Sequence, residues 1–279
     1  MSVRPPVLHP TTYGSPPHTW IEHPSGLVDL SPNSTQSIEF PVLGDRSVRL
    51  DPSKTALVVV DMQKWVQIST FLVSIRLRGK SYFLHPELRD HPTGLECVKP
   101  LKEVLPVLRQ TGVNIIWLNW GLEEKDLLLI PPCLSRCFSK PKLGKCVDPP
   151  GLGADLGSKY GRILMKGEWN ARLYEGLEAE PQDSWANKIR MSGFQGSSDS
   201  ELEKKLRELG IRTLLFAGVN ADQCVLGTVS EAFSRGYDVI VVEDLVATTS
   251  PDGGKSSLVF NSLHCYGFVT TSQYLLASK

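Results

Sequence analysis

Apolar residues in this chain gather into short unbroken runs separated by stretches of helical period. The runs "TALVVV" (55–60), "VNIIWL" (113–118), "RTLLFA" (212–217) and "DVIVVE" (238–243) are rich in β-branched residues. That is the pattern of strands buried on both faces of a parallel sheet. Between them the spacing changes. In "VKPLKEVLPVLRQTG" Leu101, Val104, Leu105 and Leu108 fall on one helical face, Pro106 is an interior breaker, and Gly112 follows as a stop. In "SDSELEKKLRELG" the stripe is Leu202, Leu206 and Leu209, closed by Gly210; after Cys224 it is Val225, Val229, Ala232 and Phe233, closed by Gly236. Strand alternating with helix predicts a three-layer α/β/α sandwich with a mainly parallel sheet and right-handed crossovers.

Two regions depart from this rhythm. Residues 1–50 are rich in Pro, Ser and Thr with scattered aromatics, which predicts an extended arm lying over the surface and leaves 51–279 as one α/β domain. From about 121 to 187 the periodicity lapses. The segment "IPPCLSRCFSKPKLGKCVDPPGLGADLGSKYGR" carries too much Pro and Gly for regular elements, and insertions of this length serve as lids, pocket walls or interaction surfaces.

Composition narrows the function. Lysine plus arginine (30) balance aspartate plus glutamate (30), so the chain has no net field to hold a polyanion, and nucleic acid is not an expected partner. No apolar run reaches the roughly 18 residues of a membrane span, and "MSVRPPVLHPTTYGSPPHTW" lacks the apolar core of a secretory signal. The expectation is a soluble cytoplasmic protein acting on a small molecule. Six cysteines are too sparse for a disulfide framework, which predicts reduced thiols. Cys133, Cys137 and Cys146 could supply three zinc ligands, but no close second pair or nearby histidine completes the set. Neither a metal nor a cofactor is expected.

Candidate chemistry sits where the strands end, because open parallel sheets bind ligands outside their carboxyl ends. Asp61 follows the first run, Asn119 the second, and the turn "GVNADQC" the third. Cys224 can be read as a buried apolar filler, and Asp61 as a simple cap of the next helix. Together they read differently. A thiol at the first turn of a helix, with an ammonium nearby, is expected to have a depressed pKa and a thiolate accessible near neutrality. Turn N–H groups can hold an oxyanion, and a carboxylate can take the thiol proton and later activate water.

The segments "ALVVVDMQ" (56–63), "KIRMSGF" (188–194) and "LLFAGVNADQCVLGTVSEAFSRGYDVIVVEDLVATT" (214–249) resemble the signatures of the isochorismatase-like cysteine hydrolases. The resemblance runs from about residue 53 to 250, interrupted by the insertion, and implies that family's fold. It also implies a catalytic set of Asp61, Lys188 and Cys224, and an oxyanion hole from the N–H groups of Asn220 and Cys224, with the Val219–Asn220 peptide cis. Lys166, in "RILMKGEW", is the competing lysine and ranks second. The threonine usual in the family's turn is Ala221 here, so substrate preference does not carry over. The family's metal-dependent nicotinamidases use an Asp-x-His motif that "WLNWGLEEKDL" lacks. "LNWG" and Gly193 are more similar to ureidoacrylate amidohydrolases.

The resemblance implies a metal-free hydrolase that cleaves a C–N bond of a small amide or ureido-type substrate through a thioester, and a homo-oligomer. Gln63, Asn119 and Trp120 are the candidate substrate-binding walls; a core Trp120 and a solvated Gln63 are the competing readings. Two other classes stay open: an isochorismate (vinyl ether) hydrolase, and an idle family member acting as a binding protein.

Overall fold

The four apolar runs become the four central strands of one sheet in the computed structural model, which describes residues 7–64, 91–138, 151–155, 157–195 and 199–278. The strands in chain order are β1 (Thr11–Ser15), β2 (His18–Glu22), β3 (Leu27–Asp29), β4 (Ile38–Val42), β5 (Arg46–Leu50), β6 (Thr55–Val60), β7 (Asn114–Trp120), β8 (Ser184–Lys188), β9 (Thr213–Val219), β10 (Asp238–Ala247) and β11 (Phe268–Thr270). The helices are α1 (Pro92–Glu96), α2 (Val98–Thr111), α3 (Glu124–Leu127), α4 (Pro132–Phe138), α5 (Glu201–Glu208), α6 (Leu226–Ser234), α7 (Gly254–Asn261) and α8 (Ser272–Leu276). None of the helices among the described residues is long and apolar enough to cross a membrane.

The central sheet has the order β11-β10-β9-β6-β7-β8, and every neighbouring pair is parallel. The chain winds from β6 outward through β7 to β8, then returns to β9 and winds the other way. This reversal opens a crevice at the carboxyl ends of β6 and β9, the position where doubly wound sheets take their ligands. Alternate residues feed two cores. Val58, Val60, Leu118, Phe216 and Val241 meet α5, α6 and α7 on one face, while Leu57, Val59, Ile115, Leu215 and Ile240 meet α2 and α8 on the other.

Pro106 does not break α2. Interior proline costs about 3 kcal/mol, but Leu101, Val104, Leu105 and Leu108 are all buried, each contributing about 1.5–3 kcal/mol. The helix ends at Gly112, whose φ of 90° is the left-handed stop. Phe233 departs from the expected stripe: Val229 and Ala232 occupy the buried face of α6, and Phe233, further round, is exposed and packs on Tyr266.

The N-terminal segment corrects the expectation of an arm. It forms a five-stranded sheet, β1-β2-β3-β5-β4, which buries Val28, Phe40, Val42, Val48 and Leu50 against the α2 side of the domain. Its alternation, apolar at Ile38, Phe40 and Val42, is masked in the sequence by Pro41 and by the turn residues between strands. The contacts that fasten it include Leu43 N–H to Val269 O (2.8 Å), Thr270 Oγ1 to Pro41 O (2.8 Å) and Trp20 Nε1 to Asp238 Oδ1 (2.8 Å). The insertion also holds more regular structure than its Pro and Gly content suggests, since α3, α4 and the edge strand β8 lie within or at its end. Cys133 and Cys137 are exposed free thiols, and Cys146 lies outside the described residues.

Asp238 gives the seam between the two sheets a pH dependence. It accepts hydrogen bonds from Trp20 and Thr213, and burial pushes its carboxyl up to about 6. The folded protein therefore holds a proton that the unfolded chain, with its ordinary value of 3.8, releases, so stability falls as pH rises from about 4 to 6. Asp238→Asn should abolish that slope and exceed wild type by up to about 3 kcal/mol above pH 7, read by urea denaturation at pH 4.5 and 7.5. A variant no more stable than wild type at pH 7.5 would contradict this assignment.

Candidate active site

Three strand ends and one helical turn converge at the crevice. Asp61 follows β6 with φ 52°, a left-handed conformation uncommon outside glycine, and its N–H donates to Leu118 O at 2.9 Å. The chain thus turns at Asp61 while staying hydrogen-bonded to β7. On the other side of the switch point Gly218 has φ 108°, and a Cβ there would lie 2.0 Å from Val60 O. Only glycine lets β6 and β9 approach so closely just before the Cys224 turn. The peptide joining Val219 to Asn220 is cis.

Lys188 is the last residue of β8 and pairs in register with Trp120. Its side chain is 0% exposed. Nζ lies 3.0 Å from Asp61 Oδ2, 3.3 Å from Cys224 Sγ and 3.2 Å from Arg190 O, and sits 3.8 Å from the centre of the Trp120 ring. An ammonium has three donors, and here each has a partner. Lys166, the competing lysine, is half exposed and pairs with Glu123 at 3.4 Å.

Cys224 lies in a π-helical turn, Ala221–Val225, that leads into α6. Gln223 N–H and Val225 N–H both donate to Asn220 O, at 3.0 and 3.2 Å, so the turn hangs from Asn220. Thr228 Oγ1 donates to Cys224 O (2.7 Å) and accepts from Gly193 N–H (3.1 Å), tying the Cys224 turn to the segment after Lys188. Gly193 must be small: a Cβ would stand 2.5 Å from Leu118 and 2.8 Å from Leu202. Ala221, in place of the expected threonine, is fully buried.

Electrostatics correct one expectation. The thiol pKa is not depressed but pushed up to about 12, because complete burial penalises the thiolate and the Asp61 charge adds to the penalty, while Lys188 only partly offsets them. Burial likewise raises Asp61, opposed by Lys188. At neutral pH the sulfur therefore keeps its proton, and the Asp61 carboxyl group, paired with Lys188 at 3.0 Å, lies within hydrogen-bonding reach of it.

Of the expected pocket walls, Trp120 is buried under Lys188 with its ring edge on Phe138, and so serves as a platform for the charge. Gln63 is buried but braced rather than solvated: Nε2 donates to Trp120 O and Ala171 O, and Oε1 accepts from Trp120 N–H. Its polar atoms hold the insertion to the end of β7 instead of facing a ligand. Asn119 is buried and its Oδ1 has no partner among the described residues; the same holds for Asp61 Oδ1. Met191, which sequence reasoning passed over, places Sδ 3.6 Å from Cys224 Sγ. Its position three residues after Lys188 was the available signal. Among the described residues no group of three His, Cys, Asp or Glu side chains is disposed to hold a metal.

The model of the Isochorismatase domain matches residues 55–273, most of the chain. The chain belongs to the isochorismatase family. Its relatives include the ureidoacrylate amidohydrolase RutB of Caulobacter segnis, 27% identical over 243 residues that cover 87% of this chain and 92% of the relative. The RutB protein of Agrobacterium fabrum is 28% identical over 224 residues, covering 80% and 89%. Among solved structures, this isochorismatase-family fold is similar to a cysteine hydrolase from Pseudomonas syringae pv. phaseolicola 1448A (TM-score 0.59, 20% identity, 82% of this chain and 93% of that one). It is also similar to the N-carbamoylsarcosine amidase of Thermoplasma acidophilum (TM-score 0.51, 24% identity, 78% and 96%). At these identities the structural likeness concerns the fold.

Because Lys188 opposes the burial penalty on the thiol, Lys188→Met should slow alkylation of Cys224 at pH 8 by about tenfold or more, whereas Lys166→Met should leave it unchanged. Mass spectrometry of iodoacetamide labelling at Cys224 reads both. A slow Lys166 variant beside a normal Lys188 variant would reverse the assignment.

Proposed function

We propose that this protein is a cysteine-dependent amidohydrolase that cleaves the C–N bond of a small ureido or amide substrate through a thioester. The observation that carries the proposal is the buried Lys188 ammonium shared between Asp61 and Cys224, with the ureidoacrylate amidohydrolases among its relatives supporting the bond type. Asp61 takes the thiol proton as sulfur attacks the carbonyl carbon. Lys188 balances the negative charge as it passes from carboxylate to sulfur to oxyanion. Since the thiol is not ionised at rest, deprotonation and attack are coupled, the case in which a positioned base is worth about 10²–10⁴ in rate.

The N–H groups of Asn220 and Cys224 receive the oxyanion, each donor contributing about 3 kcal/mol. The proton held by Asp61 goes to the departing nitrogen, an amine or ammonia leaves, and a water molecule activated by Asp61 then opens the thioester. Asp61 Oδ1, just past the end of β6, and Asn119 Oδ1, on the neighbouring β7, are buried acceptors without donors among the described residues. A leaving group or ureido moiety with N–H donors would satisfy them, which supports a ureido substrate over an ether.

A panel of ureido, carbamoyl and simple amides, followed by ammonia release, tests the proposal, with isochorismate as the competing substrate. Cys224→Ser should lose activity by at least about 10³-fold while staying folded. Activity should survive exhaustive dialysis against a chelator. Turnover of isochorismate alone, full activity in Cys224→Ser, or a chelated enzyme restored only by zinc or iron would each contradict the reading.

A further inference from the structure

His91 lies outside the set of residues discussed so far, yet it touches the nucleophile's turn. It is wholly buried, and it sits just before α1, at the head of that helix. Two backbone N–H groups, which can only donate, set the polarity of its contacts. Gly94 N–H donates to His91 Nδ1 at 2.8 Å, so the ring carries its proton on Nε2. Nε2–H then donates to Asn220 Oδ1 at 2.9 Å, and Thr249 N–H donates to the same oxygen at 3.2 Å. Burial holds the ring's pKa below its ordinary value, consistent with a neutral imidazole.

The amide of Asn220 therefore has one orientation. Its oxygen end is held twice, while Nδ2 has no hydrogen-bond partner among the described residues, in a residue that is itself buried and whose carbonyl anchors the Cys224 turn. Thr93 and Thr248 brace the arrangement: Thr93 Oγ1 donates to Thr248 O (3.0 Å) and Thr248 Oγ1 to Asp222 Oδ1 (2.5 Å), so α1, the nucleophile turn and the end of β10 form one network.

We infer that His91 is a positioning residue that holds the Asn220 amide with its donor end free, and that Nδ2 binds an acceptor oxygen of the substrate, carbonyl or carboxylate, beside the scissile bond. This inference rests on the amidohydrolase reading for its substrate, but not for its geometry.

Two substitutions separate the clamp from the helix cap. In His91→Asn the amide oxygen takes the place of Nδ1 and keeps the cap on Gly94, but nothing reaches Asn220. In His91→Gln the terminal amide takes the place of Nε2–H and keeps the clamp while losing the cap. The expected outcome is a loss in kcat/KM of about tenfold or more in His91→Asn with Tm near wild type, and kcat/KM within about threefold of wild type in His91→Gln with a lowered Tm. The opposite pairing would reduce His91 to a cap and overturn the inference. A second reading needs no turnover: the rate of Cys224 alkylation by iodoacetamide, which carries a carbonyl acceptor, relative to iodomethane, which does not. This ratio should fall in His91→Asn and in Asn220→Ala, and an unchanged ratio overturns the inference even if the substrate panel succeeds. If the panel fails while the ratio falls, the amidohydrolase reading is lost and the donor site stands.

Discussion

A single buried ammonium organises this site. Removing a lysine charge from water costs several kcal/mol even after the surroundings relax, so Lys188 can exist at zero exposure only if its donors are matched and its charge balanced. Asp61, Cys224, the Arg190 carbonyl and the Trp120 ring meet that demand together. Their positions come from different elements: the turn after β6, the π turn before α6, the segment after β8 and the end of β7. The parallel register that places Lys188 opposite Trp120, the left-handed turn at Asp61 and the bracing of Trp120 by Gln63 serve that one constraint.

The same burial decides the form of the chemistry. A thiol at a helical turn beside an ammonium would be acidic in an open site, but here desolvation is the larger effect and the sulfur keeps its proton. In the mechanism we propose, the nucleophile is therefore made during attack; the proton transfers pass through Asp61 and none through Lys188, whose role is to keep the charge balanced as it moves. Met191 adds a further contact to the sulfur, its Sδ lying 3.6 Å from Cys224 Sγ.

Much of this was legible in the chain. Four central strands and the helices α2, α5 and α6 declare themselves by period, because each buries a continuous stripe or a whole run. Edge strands do not: "SWANK" alternates a buried Ala186 and Lys188 with exposed or half-exposed neighbours, and nothing in its composition distinguishes it from the insertion around it. The N-terminal sheet was hidden for a related reason, its strands being three to five residues long and interrupted by Pro41. That Asp61, Lys188 and Cys224 would meet was readable from their segments, while the sign of the thiol's pKa shift was not, since burial is a property of packing. The bracing by Gln63 was not readable because it depends on the Trp120 and Ala171 backbones, the latter 108 residues away in sequence.

The protonation state of the resting sulfur tests this account most directly. An infrared difference spectrum between wild type and Cys224→Ser at pH 8, without substrate, isolates the S–H stretch of Cys224 from those of the other five cysteines. The band should be present in wild type and persist to the highest pH at which the protein stays folded. Its absence at pH 8, with thiolate absorbance in its place, would mean that Lys188 and the turn outweigh burial, and that the nucleophile is formed before the substrate arrives.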